Sequence, residues 1–368
     1  MHPQRQAQSL VVEVKFDTTC RQKPTLFQLS AKRNLNMKKT LIAVALATLS
    51  ATSMADVILY GKIKGGVEVT KKKGVSGTES TIVDYGSRIG FKGHEELNAG
   101  LKAIWQLEQK VNIGGKSTGF GTRNSFIGLE GGFGRLTVGY QHNPVGDFAG
   151  NLDQWSYDSG AAGLSVFTRG TAINKRRVSA YYTSPDFGGF SLGAYVSPSD
   201  NNSTDDSDKA VYAASLRYKH ASGFFADVLG GMAHKSAVNG KDGYQIVAQA
   251  GYDAAPWFAG VAYQTTRGVN LDDYADAYKS QEVAASFAYD VSDALKAKAS
   301  AVYGFGFKNV DGAKLFNNGK YYQAVIGADY ALSKRTVANA QVGAIRAKNA
   351  AGENKTVGTL SVGMGHAF

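Results

Sequence analysis

Charged side chains recur at a spacing of two residues in the first part of the chain, opposite apolar residues of the other parity. Val57, Leu59 and Ile63 share one parity, whereas Lys62 and Lys64 share the other. A period of two predicts a β-strand with one apolar and one polar face. The basic residues that we assign to polar faces on this pattern are Lys62, Lys64, Arg88, Lys92, Lys102, Arg135, Arg176 and Arg177. Cations along a water-filled passage would attract anions and orient polar solutes, without covalent chemistry.

Patterns that could indicate catalysis or cofactor binding are incomplete. Residues 189–193 match Gly-x-Ser-x-Gly, but Ser191 lies in an alternating segment and not in the strand, turn and helix that a hydrolase needs. Residues 115–117 read Gly-Lys-Ser, yet Lys110 stands where a phosphate-binding loop requires glycine. Residues 94–96, His-Glu-Glu, fit a solvated turn better than a metal site. We therefore predict no catalytic residue, no metal site and no cofactor.

The elements that would position the basic residues are sixteen alternating segments of roughly 9 to 14 residues, the length that a tilted membrane strand requires. These segments are 57–69, 81–93, 100–112, 123–131, 134–142, 176–184, 189–198, 209–219, 223–235, 243–252, 257–267, 280–290, 294–306, 320–330, 334–347 and 354–368. The predicted fold is all-β, a 16-stranded antiparallel transmembrane β-barrel.

The connections between these segments alternate between short turns and long, polar, glycine-rich loops. A membrane barrel has this asymmetry, because its short turns face the periplasm and its long loops face outside. A soluble β-helix or sandwich would also show a period of two. Repeats of fixed length are absent, however, and every long loop falls on the same side, so the barrel is favoured.

The register of each segment follows from its charges. A charge on the lipid face costs about 2 to 4 kcal/mol at the bilayer midplane, so lysines and arginines should face the lumen. Arg123 breaks this rule, because it shares parity with Ile127 and Leu129. We expect it either at a strand end within reach of headgroups or across a β-bulge.

The chain begins with segments that we exclude from the barrel. Residues 37–55 have a basic start, a short apolar run and small residues before a cleavage point between Ala55 and Asp56, which is the pattern of a signal peptide. Residues 1–36 lie upstream of a complete signal and are interpreted as an artefact of start assignment or as a leader extension. The barrel domain is then 56–368.

Removal of this leader changes the composition. Eight of the 41 Lys and Arg and two of the 30 Asp and Glu precede Asp56, so the remainder has 33 basic and 28 acidic residues, a net charge of +5 and not +11. This modest charge gives no indication of a nucleic-acid partner. The single cysteine, Cys20, is also lost, which excludes disulfides and thiol chemistry from the barrel.

The chain resembles the general porins of Gram-negative outer membranes, most closely the trimeric porins of the Neisseria family. The stretches that carry the resemblance are 56–61, 86–93, 100–109, 125–129 with 131–136, 332–336 and the aromatic carboxyl-terminal strand. The likeness implies a homotrimer in the outer membrane, in contact with the lipid bilayer, that passes ions and small hydrophilic solutes passively.

In such porins the third long loop folds into the lumen and narrows it. Here that loop is 143–175, and its acidic residues are Asp147, Asp153 and Asp158. The sequence lacks the Pro-Glu-Phe-Gly-Gly motif of enteric porins, so which carboxylates line the constriction stays open. Basic residues facing an acidic loop would create a transverse field, and their excess predicts a modest anion preference.

Two other functions were considered. One is a substrate-specific channel for a sugar or an organic anion, in which aromatic side chains along the lumen guide the solute. The many tyrosines allow this function. Their positions near strand ends, however, fit aromatic girdles at the membrane interfaces better. The other is an outer-membrane enzyme such as a phospholipase. It would need a Ser and His pair on the lipid side, and the sequence contains no such pair in that register.

Overall fold

Strands make up most of the residues that the structure describes. The computed structural model describes residues 56–112, 121–155, 173, 175–198, 210–237, 240–268, 278–315, 317–349 and 351–368. The strands are β1 (Asp56–Lys72), β2 (Glu79–Asp84), β3 (Arg88–Glu96), β4 (Lys102–Lys110), β5 (Ser125–Gly131), β6 (Gly134–Gln141), β7 (Arg177–Thr183), β8 (Phe190–Ser197), β9 (Val211–Lys219), β10 (Phe224–Ala233), β11 (Gly243–Ala254), β12 (Trp257–Arg267), β13 (Lys279–Asp290), β14 (Leu295–Lys308), β15 (Tyr321–Ala331), β16 (Thr336–Lys348) and β17 (Asn354–Ala367).

Helical structure in these residues is short. It consists of one α-helix, α1 (Pro144–Phe148), and two 3-10 turns at Asn98–Gly100 and Ala149–Leu152. None of the described helices is long and apolar enough to cross a membrane.

The sheet closes on itself. Antiparallel pairing runs from β1 to β3, onward through β4 to β17, and back to β1. At the seam, Gly61 N–H donates to the Phe368 carbonyl, and Phe368 N–H donates to the Gly61 carbonyl, both at 3.0 Å. Because β2 and β3 both pair with β1, they form one interrupted wall strand, and the predicted 16-stranded antiparallel barrel is confirmed.

The interruption between β2 and β3 is a β-bulge. Gly65 lies opposite Asp84, whereas Lys62 lies opposite Arg88, so a step of three residues along β1 is matched by a step of four on its partner. One extra residue on one strand is the defining feature of a bulge. Gly86 lies within it at a φ of 83°, a left-handed conformation that glycine adopts without steric cost.

The bulge changes which side successive side chains face. Ile82 points outward and is 78% exposed, whereas Arg88 lies opposite the inward-facing Lys62 and therefore faces inward. In a regular strand these two even-numbered residues would face the same side. The Ser87 hydroxyl fixes this geometry, because it accepts from the Lys64 amide (2.9 Å) and donates to the Lys64 carbonyl (3.1 Å). The extra residue therefore lets β2, with Ile82 on the lipid side, and β3, with Arg88 on the lumen side, share one wall strand.

The outer face of the barrel is apolar and carries aromatic side chains near both ends. Val261 and Ile326, near mid-strand, are about 60% exposed. Trp257 packs against Tyr289 (centroids 4.2 Å apart) where β12 begins, and Tyr303 stacks on Tyr322 (5.1 Å) toward the opposite end. An apolar band between two aromatic girdles is the surface that a membrane barrel presents to lipid.

The two ends of the barrel differ in their connections. One end, called here the short-turn end, has the connections 97–101, 132–133, 184–189, 220–223, 255–256, 291–294 and 332–335. The other, called the long-loop end, has the longer connections, several of which lie partly outside the described residues. Both Asp56 and Phe368 belong to the short-turn end, as an even number of wall strands requires.

Candidate functional site

The inner wall is polar. Gln245, Gln264 and Gln341 are almost completely buried although they lie in membrane-spanning strands, and their strand neighbours of opposite parity are more exposed than they are. Buried amides need hydrogen-bond partners. Gln245 Nε2 donates to Gln264 Oε1 (3.0 Å), and Gln264 Nε2 donates to Glu282 Oε2 (2.7 Å). A polar inner surface inside an apolar outer one is the arrangement of an aqueous passage.

Glu108, on β4, is surrounded by cations on this inner wall. Its carboxylate is 3.5 Å from Arg88 Nε and also contacts Arg123 Nε. The Tyr60 hydroxyl donates a further hydrogen bond to it, 3.1 Å long. One carboxylate therefore holds two guanidinium groups in place. Charge-assisted contacts of this kind are stronger than those between neutral groups.

Two more cations complete the group. Lys62 lies directly opposite Arg88 in the ladder between β1 and β3. Arg176, at the residue before β7, donates from Nε to Asn124 Oδ1 at 2.6 Å. Arg123 repels the Arg176 guanidinium and Glu108 attracts it, so Arg176 belongs to the same group of charges. The basic cluster is defined here as Lys62, Arg88, Arg123 and Arg176 around Glu108, with four cations against one anion.

Arg123 reaches the basic cluster because it lies outside the regular register. It precedes β5, and its amide donates to the Glu108 carbonyl at 3.1 Å, although Ser125 is the residue opposite Leu107. The sequence offers either a strand end within reach of headgroups or a β-bulge; in the structure Arg123 lies just before β5, and its guanidinium contacts Glu108 on the inner wall and not the headgroups. The sequence pattern alone could not find this residue, because its parity matches the lipid face.

The other predicted basic residues do not gather at one point. Lys64 is buried, and Lys92 lies over the Tyr60 ring at 5.3 Å. Lys102 Nζ pairs with Glu96 at 2.6 Å near the short-turn end. All three have the inward parity that the sequence predicts, and Lys92 contacts Tyr60, a partner of the basic cluster.

Arg135 and Arg177 also have inward parity. Arg135 lies over the Phe126 ring, 4.9 Å from its centroid, and Arg177 is opposite Gln141 between β6 and β7. The structure therefore distributes the predicted cations along β1 to β7. Their roles in conduction stay predictions.

The connection after β6 contacts the inner wall on the far side from the basic cluster. Asn151 Nδ2 donates to Asp227 Oδ2 (3.4 Å), and Gln249 Nε2 donates to the Phe148 carbonyl (2.9 Å). The Arg217 guanidinium lies 3.6 Å from the centroid of the Phe148 ring and pairs with Asp227 at 3.0 Å. We call this set the first anchor.

A second anchor lies farther along the same connection. Trp155 is fully buried, and its indole Nε1 donates to Ser300 Oγ at 2.9 Å. Lys298 Nζ donates to the Gln154 carbonyl (2.9 Å), pairs with Asp329 (2.7 Å) and lies 4.9 Å from the Trp155 ring centroid. A buried ion pair that also hydrogen-bonds the backbone of the connection fixes its position on β14.

The predicted acidic residues of this connection have different environments. Asp153 Oδ1 accepts from the Trp155 amide at 3.0 Å, close to the second anchor. Asp147, at α1, is exposed to a cavity that Arg135 also lines. Asp158 lies outside the described residues, as does Ala55 of the predicted cleavage point, and Asp56 begins β1.

Asp147 should titrate near neutral pH. Partial desolvation raises its pKa from 3.8 to about 6, against the opposing effect of Arg176, Arg135 and Arg217. The carboxylate is therefore ionised above pH 6 and neutral below it. We expect the preference for anions to increase as the pH falls from about 7.5 to about 5. Reversal potentials measured at both pH values would check this.

The matched control for this titration is Asp147→Asn. The variant should show the stronger anion preference at both pH values, with a much smaller change between them. An equal pH dependence in the variant and the parent would assign the titration to another group.

Comparison with known proteins places this architecture in a family. A family model described as Gram-negative porin matches residues 41–350. The chain belongs to the Gram-negative porin family. Its relatives include the major outer membrane protein P.IB of Neisseria meningitidis serogroup B (strain MC58), 40% identical, and that of Neisseria sicca, 36% identical. Each match covers 90% of this chain and 100% of the relative.

Solved porin structures share the fold of this porin. An anion-selective porin from Comamonas acidovorans aligns with a TM-score of 0.69 at 23% identity, covering 85% of this chain and 100% of the other. Salmonella typhi OmpF aligns with a TM-score of 0.66 at 21% identity, covering 85% and 98%. This porin is an outer-membrane protein that crosses the bilayer with many strands and forms a general diffusion channel. Its family consists of channels and not of enzymes.

Proposed function

We propose that this porin conducts ions and small hydrophilic solutes passively with a modest preference for anions. The basic cluster is the observation that carries the proposal. Its four cations are compensated locally by one carboxylate, Glu108, which leaves an excess of positive charge on the inner wall. A passage lined by one sign of charge raises the local concentration of counter-ions.

The connection 143–175 would form the opposite side of the constriction. The two anchors support this assignment, since they attach residues 148–155 to the inner faces of β10, β11 and β14. A segment held there lies across the lumen from the basic cluster on β1 to β4. Asp147 and Asp153 would then supply negative charge facing the cations, and the resulting field would orient polar solutes.

The assembly and processing of the chain are also proposed. We infer a homotrimer, for which the support is family membership and a trimeric Vibrio cholerae OmpT of similar fold, with a TM-score of 0.64. Residues 37–55 would be a signal peptide that is removed before Asp56, and residues 1–36 an upstream extension absent from the mature protein. No catalytic activity is proposed.

Ion preference can be measured directly. Protein reconstituted in a planar bilayer with a salt gradient should give a reversal potential of the sign that anion permeation produces. Closure in three steps at high voltage would support the trimer, and fluxes of neutral sugars should fall with size alone. A reversal potential of the opposite sign would contradict the proposed anion preference.

A further inference from the structure

A cavity of about 420 Å³ lies inside the barrel at the short-turn end. Its lining includes Glu130 and Arg135, on either side of the turn between β5 and β6, and Tyr181 on β7. Asp147 and Phe148 of α1 line it on the side of the long connection. The cavity is therefore built by two hairpins of the wall and by the first part of that connection.

The charged groups of this cavity are not paired with each other. Glu130 and Arg135 are directly opposite in the ladder, where side chains of opposite charge are close enough to interact. No ion pair or side-chain hydrogen bond of either residue occurs among the described residues, and the buried Arg135 Nε has no acceptor. Arg135 lies over the Phe126 ring and Glu130 lies opposite Lys102 in the ladder, so the cavity presents one cationic and one anionic group, neither of which forms a side-chain ion pair among the described residues.

A third polar group faces the same space. Tyr181 is 92% buried, since 8% of its surface is exposed, and its hydroxyl lies beside the Thr183 side chain, which lines the same cavity. A buried hydroxyl is stabilised when each of its hydrogen-bonding capacities is used. Tyr181 and Arg135 are both donors, and both line the same cavity, which indicates an acceptor such as a carboxylate.

The charges of the lining select among carboxylate ligands. Glu130 and Asp147 would repel a simple anion held by Arg135, and Arg135 would repel a simple cation held by Glu130. A molecule with a carboxylate and an ammonium group close together satisfies both. Phe148 and Pro185 supply apolar surface on the same cavity for a nonpolar side chain.

We propose that this cavity is a binding subsite for zwitterionic α-amino acids, with the carboxylate at Arg135 and Tyr181 and the ammonium at Glu130. The proposal rests on the proposed function, because the solute must first enter the channel. The subsite lies at the short-turn end, so a bound amino acid would be released from there toward the periplasm.

Current block by three related solutes tests the proposal. They are L-phenylalanine, its amide, which lacks the carboxylate, and N-acetyl-L-phenylalanine, which lacks the ammonium. In about 0.1 M KCl, where charges act over about 10 Å, L-phenylalanine should reduce single-channel current with saturation. The amide and the acetylated compound should each bind about fivefold more weakly or worse, because each loses one charge-assisted contact.

Variants assign the site. Arg135→Gln and Glu130→Gln should each weaken the block by L-phenylalanine about fivefold or more, and Tyr181→Phe by about twofold to threefold. Lys72→Gln, which removes an exposed charge at the long-loop end, should leave it unchanged. After the loss of Arg135, the amide should bind as well as L-phenylalanine, which a purely structural role would not produce.

Three results would overturn the proposal. One is a current that falls linearly with the concentration of L-phenylalanine, and another is a block by L-phenylalanine that is unchanged in Arg135→Gln. The third is a block by the acetylated compound equal to that by L-phenylalanine, which would indicate a simple anion site. Each is measured on channels that already conduct KCl. A protein that forms no channel would contradict the proposed function instead.

Discussion

Lys62→Glu combined with Arg176→Glu should convert the channel from anion preference to cation preference. Neither residue pairs with Glu108, so Arg88 and Arg123 stay available to hold that carboxylate and to offset the new ones. The excess charge of the basic cluster changes by four units, from three positive to one negative. The reversal potential in a salt gradient should therefore change sign.

The size of this effect follows from Coulomb energies. A unit charge about 8 Å from a permeating ion contributes about 0.5 kcal/mol in water, and screening at physiological salt reduces this to about 0.2 kcal/mol. Four units then change the energy of an anion by about 0.8 kcal/mol and that of a cation by the same amount in the opposite direction. The permeability ratio should change by about tenfold.

The matched control is Lys72→Glu combined with Lys355→Glu. These residues are more than half exposed and pair with Glu79 and Glu353 near the long-loop end. The same number of charges changes there without entering the basic cluster. An equal shift in both double variants would show that net charge, and not the basic cluster, determines ion preference.

Trp155→Ala should widen the channel. The indole is fully buried against the wall, and truncation of a buried Trp costs about 3 to 5 kcal/mol. That energy stabilises the attachment of the connection to β14. It does not stabilise the barrel itself, because the hydrogen-bond ladders between the strands do so. We expect higher single-channel conductance and faster flux of larger sugars, while the barrel stays folded.

Trp155→Phe separates packing from hydrogen bonding, because it keeps a six-membered aromatic ring at the site and removes the donor to Ser300. Its conductance should lie close to that of the parent. Lys298→Met, which removes the ion pair with Asp329 and the bond to Gln154, should resemble Trp155→Ala. Unchanged conductance in folded Trp155→Ala protein would contradict a constricting role for the connection.

Much of the wall could be predicted from the sequence, because the cost of a charge in lipid fixes the register of each strand. The segment 257–267 coincides with β12, and most other strands differ from their predicted bounds by one or two residues. The bulge could not be predicted, since the alternation of apolar and polar residues shows which side a residue faces only where the pairing of strands is regular. From the sequence, 81–93 is predicted as one alternating segment, with Arg88 in the lumen together with the other basic residues.

The candidate site was predicted less completely than the wall. Basic residues on β1 to β7 were identified by parity, but Arg123 was not, and neither were Lys298 and Asp227, which anchor the long connection. These contacts join residues that are distant in the chain, such as Trp155 and Ser300. Local periodicity carries no information about which side chains meet across a lumen.

The one-residue bulge between β2 and β3 has a consequence for how this gene can vary in length. Loss or gain of a single codon there would either expose a basic face of the strand to lipid or turn Ile82 into the lumen, so neither change would be neutral. The long connections have no such constraint, because no alternation runs through them. Among natural variants of this chain, we therefore expect insertions and deletions in the long connections and constant length from Glu79 to Glu96.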